Sequence, residues 1–215
     1  MNVPVLIVGP SGNGKSSTFR TLPPEETVII NTERKPMPFR NFTKFKNINI
    51  SRYKDFTKVM KELATSKKYK YVVIDSFTSL TEIVGKYTDT VFTGFEQWKQ
   101  YNVLLQDALW LIKDLPQQVF MTGIPEYLEN GDEPEGYIRV KGKELKYGGT
   151  EKEFAIVLWT SLASDDEGNI TGYMLDTKPS KLRSSKSPDG MFEDRLIPND
   201  AKAVADAIEK YYSET

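Results

Sequence analysis

Residues 9–16 read Gly9-Pro10-Ser11-Gly12-Asn13-Gly14-Lys15-Ser16. Gly9, Gly14, Lys15 and Ser16 fill every required position of the pattern G-x-x-x-x-G-K-[ST]. The setting supports the match. An apolar run, Val3–Val8, precedes it and predicts a buried strand ending in glycine. The segment SSTFRTL that follows predicts the opening of a helix. Gly12 and Gly14 let the chain curl so that backbone N–H groups face phosphate oxygens, and the following helix is expected to add its N-terminal dipole. The phosphate cradle is expected to comprise Gly9, Pro10, Ser11, Gly12, Asn13, Gly14, Lys15, Ser16 and Ser17. Lys15 is expected to reach the β and γ phosphates, and the Ser16 hydroxyl to ligate Mg²⁺. A glycine-rich turn with no nucleotide is the alternative.

About 60 residues on, KYKYVVIDS places Asp75 at the end of an apolar strand, Tyr71–Ile74. A carboxylate there can hold Mg²⁺ through water, as the Walker-B aspartate does. Ser76 follows where a catalytic Glu often stands, so a general base must come from elsewhere. Glu33, ending the apolar run Thr27–Asn31 and its two following residues, is the candidate that could polarise a water near the γ-phosphate. A surface Glu paired with Arg34 or Lys35 is the alternative.

Outward from these motifs, helices and strands alternate. Phe56, Val59, Met60 and Leu63 share one face of a helix over Tyr53–Ser66. Glu96–Leu115 is the longest helical pattern, stopped by Pro116. Val119–Thr122 is a fourth strand candidate. Pro125–Thr150 is polar and charged, a hairpin or a loop. Phe154–Leu162 and Ile170–Thr177 predict two strands joined by the acidic turn Asp165–Gly168. Asp200–Tyr212 predicts a helix with Ala201, Val204, Ala205 and Ile208 on its apolar side. Alternation first and consecutive strands later predict an α/β fold with a mostly parallel sheet and an antiparallel extension. No linker divides residues 1–215, which are expected to form a single domain.

Composition narrows the chemistry. The 215 residues include no Cys and no His. Disulfides, zinc–thiolate sites, Cys nucleophiles, His bases and His-containing triads are therefore excluded. Carboxylates, Lys, Arg, hydroxyls, backbone N–H groups and an oxygen-bound metal remain. No apolar run approaches the roughly 18–20 residues of a membrane span, and no leader pattern opens the chain. A soluble, cytoplasmic protein with no membrane partner is expected. The net charge of −1 conceals a split. Arg34–Lys70 carries 12 Lys/Arg against 2 Asp/Glu, a local charge of +10, and the remainder sums to −11. Such a split suggests a face for a polyanion, or a solvated lysine-rich surface opposite an acidic one.

Gly9–Ser16, Glu33 and Asp75-Ser76, in that order, resemble the core of RecA-type recombinase ATPases. More closely, the chain resembles phage-encoded nucleotide-binding proteins with an AAA-type domain, among them RecA-like single-strand annealing proteins. VIINTERKP, YVVIDSFTSL, MTGIPE and IPND carry this likeness, over Val3 to about Ile208. The resemblance implies a RecA-like P-loop NTPase core and Mg²⁺-dependent ATP hydrolysis coupled to single-stranded DNA. It also implies a homo-oligomeric ring or filament with the ATP site between subunits, in the host cytoplasm if phage-encoded. A single-strand-binding protein is a further implied partner. Glu33 matches the catalytic Glu after the second core strand. Thr122 falls where a polar residue senses the γ-phosphate, although RecA-type recombinases carry Gln there. The loops Ser76–Phe95 and Pro125–Thr150 would face DNA. Neither an N-terminal oligomerisation extension nor a separate C-terminal domain is recognisable, which favours annealing or an accessory role over strand exchange.

Three stretches have the chemistry to meet DNA, where cations neutralise phosphates and aromatic rings stack on bases. Within Pro125–Thr150, Arg139, Lys141, Lys143 and Lys146 stand with Tyr137 and Tyr147. The basic block adds Phe39, Phe42, Phe45, Tyr53 and Phe56, of which Phe56 reads as core. KPSKLRSSKSPDG, residues 178–190, carries Lys178, Lys181, Arg183 and Lys186 with no acid between them. In RecA-like assemblies basic residues at this end reach a neighbour's γ-phosphate, as an arginine finger does; Arg183 or Lys186 is favoured. Two other functions fit the phosphate cradle: a P-loop kinase of small molecules or nucleotides, and a non-hydrolysing ATP-binding assembly factor.

Overall fold

The computed structural model describes residues 3–130, 133–138, 150–180 and 182–214. The first strand, β1 (Val5–Val8), is apolar throughout and buried on both faces, as a central parallel strand requires. Around it lie β2 (Thr27–Asn31), β3 (Lys46–Asn49), β4 (Tyr71–Asp75), β5 (Gln118–Gly123), β8 (Ile156–Ser164), β9 (Ile170–Asp176) and β10 (Leu196–Pro198). Their spatial order is β10-β9-β8-β1-β5-β4-β2-β3. The six strands from β8 to β3 run parallel. β9 is antiparallel to β8, and β10 to β9. A separate hairpin, β6 (Pro125–Asn130) with β7 (Glu133–Ile138), follows β5. The expected α/β architecture, a RecA-like P-loop NTPase core with an antiparallel C-terminal part, is the one observed.

Alternate residues of β1, β2, β4, β5 and β8 feed two cores. Leu6, Val8, Ile30, Ile74 and Met121 pack under α1 (Tyr53–Thr65), α2 (Phe77–Val91) and α3 (Gly94–Lys113). Val5, Ile7, Ile29, Val73 and Phe120 pack under Phe19, Leu22 and α4 (Ala201–Ser213). The helical stripes expected on α1 and α4 are the faces that are buried: Phe56, Met60 and Leu63 on one, Ala201, Val204, Ala205 and Ile208 on the other.

Three expectations need correction. The segment after the phosphate cradle forms only a six-residue 3-10 helix, Ser16–Thr21. Pro23 and Pro24 follow, and the residue before a proline is driven to extended backbone; Leu22 has φ −70° and ψ 145°. A long helix dipole therefore does not face the cradle. The segment Ser76–Phe95 is not a loop. Its residues Phe77–Val91 form α2, whose Phe77, Leu80, Ile83 and Val84 are core. Ser76 caps it by accepting a hydrogen bond from the Ser79 N–H at 3.2 Å, a favoured N-cap arrangement. The aromatic residues of the basic block are not a stacking platform. Phe45, Tyr53 and Phe56 are buried, and Phe39 and Phe42 pack against the second core. Two short edge strands, β3 and β10, escaped the sequence reading because KNIN and LIP carry no sustained alternation.

Candidate active site

The C-terminal ends of β1, β5, β4 and β2 lie side by side, because β5 is inserted between β1 and β4. Gly9 continues from β1, Thr122 is near the end of β5, Asp75 ends β4, and Glu33 follows β2. The parallel register makes these residues neighbours: Ile7 stands opposite Thr122, and Asn31 opposite Asp75. Binding in the crevice at the carboxyl ends of parallel strands is the general rule for such sheets.

The cradle is tightly framed. Gly12 and Gly14 have φ of +83° and +81°, backbone that side chains with a Cβ rarely adopt. A Cβ on Gly9 would lie 1.8 Å from Thr160 Oγ1, and one on Gly14 would meet the Tyr173 ring at 2.5 Å. Thr160 stands on the parallel strand β8 and Tyr173 on the antiparallel β9, so these two strands form a wall of the loop. Lys15 Nζ donates to the Pro10 carbonyl at 2.9 Å, closing the loop over its own lysine. Burial pulls the Lys15 ammonium below the ordinary lysine range, while Asp75 and Glu33 oppose this.

Asp75 is the buried acceptor of the site. Its Oδ1 accepts hydrogen bonds from Ser16 Oγ at 3.2 Å and from Thr122 Oγ1 at 2.5 Å. Burial pushes its carboxyl up, against the pull of the Thr122 and Ser16 hydroxyls; Glu33 adds to the rise and Lys15 opposes it. Thr122 thus lies between cradle and acid, on a buried strand end, with its hydroxyl committed to Asp75.

Glu33 is placed by a local turn. Asn31 Oδ1 accepts from the Arg34 N–H at 2.7 Å, and Asn31 Nδ2 donates to the Lys35 carbonyl at 2.7 Å. Arg34 takes the left-handed φ of 59° that this closure demands. The Thr32 and Glu33 N–H groups donate to the Asp75 carbonyl at 2.9 and 3.3 Å. Thr32 Oγ1 donates to the Ser76 carbonyl and accepts from the Ser76 N–H, both at 2.7 Å. Glu33 is thereby stapled beside Asp75, and its carboxylate pairs with Lys35 at 3.3 Å.

Lys15, Ser16, Glu33, Asp75 and Thr122 therefore come together. Arg183 and Lys186 do not join them in this chain. Arg183 pairs with Asp176 at 3.5 Å, beside Arg195, which binds the same carboxylate at 3.1 Å. Lys186 bridges Val157 through its backbone, level with Leu6 and below the cradle; burial pulls its ammonium down, opposed by Glu151 and Glu153. Lys178 donates to the Glu193 carbonyl at 3.4 Å. Lys181, Arg139, Lys141, Lys143, Lys146 and Tyr147 lie outside the described residues, and Tyr137 is placed only as a β7 position opposite Glu126.

One supporting residue was unassigned by motif, although it lies in the IPND segment. Asn199, buried at the start of α4, donates Nδ2 to Thr18 Oγ1 at 2.8 Å and to the Gly14 carbonyl at 3.3 Å. Its Oδ1 accepts from Arg20 at 3.0 Å. The short 3-10 helix is held by this contact from the far end of the chain.

Among the described residues no group of three or more acidic side chains is gathered to hold a metal. Mg²⁺ does not require one, since it retains waters and uses one or two carboxylates with substrate phosphates. The all-oxygen pair of Ser16 hydroxyl and Asp75 carboxylate, 3.2 Å apart beside the cradle, fits that ion. No helix among the described residues is long and apolar enough to cross a membrane. No curated protein matches the chain. A family model described as an AAA domain matches residues 1–188. The chain accordingly belongs to the AAA domain family, a nucleotide-binding, ATPase-type P-loop domain.

Proposed function

We propose that the protein is a Mg²⁺-dependent ATPase that acts on single-stranded DNA in phage recombination, annealing or replication. The observation that carries the enzymatic reading is the convergence of Lys15, Ser16, Asp75, Thr122 and Glu33 at the carboxyl ends of β1, β5, β4 and β2. Lys15 exchanges the neutral Pro10 carbonyl for the anionic β and γ phosphates. Ser16 and Asp75 would hold Mg²⁺, which would supply positive charge to the phosphates when bound. Thr122 keeps Asp75 oriented toward Ser16. Glu33 orients a water and accepts its proton as the water oxygen bonds to the γ-phosphorus. The bond to the β–γ bridging oxygen breaks, and ADP leaves with that electron pair. Catalysis of this kind rests on positioning and electrostatics.

The DNA reading is supported by the +10 charge of residues 34–70 and by the likeness to phage annealing ATPases. The β6–β7 hairpin, rooted at Ile124 beside the site, supplies a further surface. In a ring or filament, Arg183 or Lys186 would act on a neighbour's γ-phosphate; Arg183 must first leave Asp176.

ATP turnover with and without single-stranded DNA, for wild type, Lys15→Ala and Glu33→Gln, tests the proposal. The expected result is DNA-stimulated turnover, lost in both variants, with nucleotide binding retained in Glu33→Gln. Phosphate transfer to a small acceptor with no response to DNA would indicate a kinase instead. Binding without any turnover would indicate an assembly factor.

A further inference from the structure

A cavity of about 930 Å³ opens at the end of the sheet opposite the phosphate cradle. Tyr71 and Gln118, the first residues of β4 and β5, line it, whereas Asp75 stands at the carboxyl end of β4. The two sites are separated by the length of that strand, about 13 Å. The C-terminal half of α4 forms the facing wall, with Ile208 and Tyr212. The volume lies within the range of small-molecule sites, about 300–1,000 Å³.

Lys67, Lys68 and Lys70, which close the basic block, edge this cavity. The short segment that carries them is pinned at both ends. Gln117 Nε2 donates to the Leu63 and Ser66 carbonyls, both at 2.9 Å. The Lys70 N–H donates to the Glu26 carbonyl at 2.8 Å, and the Lys70 carbonyl accepts from the Gln118 N–H at 3.0 Å. Aromatic rings accompany the charges. Lys68 Nζ lies 5.1 Å from the centre of the Tyr69 ring, and Lys70 Nζ 5.7 Å from that of Tyr71. Tyr71 is buried, and Tyr69 and Tyr212 are half-buried. The carboxylates of Glu26 and Glu209 belong to the same lining, and Glu209 pairs with Lys70 at 3.6 Å.

We propose that this cavity binds a nucleotide, with the phosphate on the lysines and the base against the tyrosine rings. Each kind of side chain there has a counterpart in that ligand. Ammonium groups on a pinned segment meet a phosphate with little further ordering of the backbone. Tyrosine faces stack on any base, because every base has a π-face. Glu26 and Glu209 accept from sugar hydroxyls or a base amino group, and their charge opposes a purely acidic peptide. A free nucleotide and a unit of a single strand bring the same groups. The site is separate from the catalytic one, so both can be filled at once.

Calorimetric titration of the full Lys15→Ala chain with AMP, and separately with an oligodeoxyadenylate, tests the proposal. That background removes the phosphate-binding lysine of the cradle. AMP is expected to bind with a Kd of about 1 mM or tighter. Lys67→Met and Lys68→Met together, on the exposed rim, are expected to weaken binding at least about 3-fold. Tyr212→Ala is expected to weaken it at least about 5-fold through loss of a stacking face, and Tyr212→Phe to leave it unchanged. Binding of the oligodeoxyadenylate without AMP, weakened by the same substitutions, supports the site and gives the strand as its ligand. If neither ligand binds, or if the lysine and tyrosine substitutions weaken neither, the proposal is overturned. Binding of a glutamate-rich peptide in place of both, lost with the lysines, overturns it in favour of a protein partner.

Discussion

Asn199 and Thr18, 181 positions apart, are joined by a 2.8 Å hydrogen bond beneath the phosphate cradle. The same amide reaches the Gly14 carbonyl. The cradle's 3-10 helix is too short to be rigid by itself, and a side chain from the start of α4 completes its hydrogen bonding. Removing that amide strands buried polar groups, at a cost of about 1–3 kcal/mol. Asn199→Ala is therefore expected to lower Tm by at least about 2 °C and to weaken ATP binding. Thermal melts with and without nucleotide check both; an unchanged Tm would show that Arg20 and Thr18 find other partners.

Asp75 carries the opposite sign of effect. Burial raises its carboxyl above the ordinary range, so the folded state holds its proton more tightly than the unfolded chain. Stability from this group falls as pH rises from the ordinary carboxylate pKa through the raised one. At neutral pH the buried charge is a burden. Asp75→Asn keeps an acceptor for Thr122 and Ser16 and removes the charge. It is expected to raise Tm at about pH 7 by about 2–4 °C, the shift that about 1 kcal/mol produces at this size, while abolishing turnover. The gain shrinks as pH falls through the window. Melts from about pH 4 to about pH 8 test the sign, and a less stable variant at neutral pH contradicts it.

Gly9 is a steric requirement imposed by β8. A Cβ there lies 1.8 Å from Thr160 Oγ1 and 3.1 Å from Thr160 Cβ. Gly9→Ala is expected to cost about 1–3 kcal/mol as an overpacked core substitution does. Thr160 Oγ1 is buried with no hydrogen-bond partner among the described residues, so Thr160→Ala sacrifices no hydrogen bond. The double variant is expected to recover part of the loss, because the Cβ contact remains. Chemical denaturation of the four-member cycle gives the coupling; simple additivity would show that the two residues do not meet.

Gly14 faces two separate obstacles, the Tyr173 ring and its own φ of +81°. Gly14→Ala is expected to destabilise the protein and weaken nucleotide binding. Tyr173→Ala removes only the ring conflict, leaving a backbone penalty of about 1–3 kcal/mol. Nucleotide titration and melting of the single and double variants separate the two terms. Full recovery in the double variant would mean that the loop relaxes its φ.

Much of this architecture is legible locally. VPVLIV followed by GPSGNGKS specifies a buried strand and a phosphate-binding turn, because apolar continuity and glycine placement act over neighbouring residues. The Asp75 strand end and the apolar faces of α1 and α4 are readable for the same reason. Its position after an apolar strand singles out Glu33, but its staple to Asp75 through Thr32 depends on β2 and β4 pairing.

Other features were decided only in three dimensions. The six-residue 3-10 helix reflects Pro23 and Pro24 locally, yet its support by Asn199 needs α4 to return across the sheet. Whether residues 77–91 form a helix was settled by a core that Phe77, Leu80 and Val84 fill. The fate of the basic block's rings and the partner of Arg183 likewise depended on which surfaces met. Local sequence determined the chemical groups and the turns that present them. The insertion of β5 between β1 and β4 decided which groups became neighbours, because hydrogen-bond distance is set by strand order and register and not by separation along the chain.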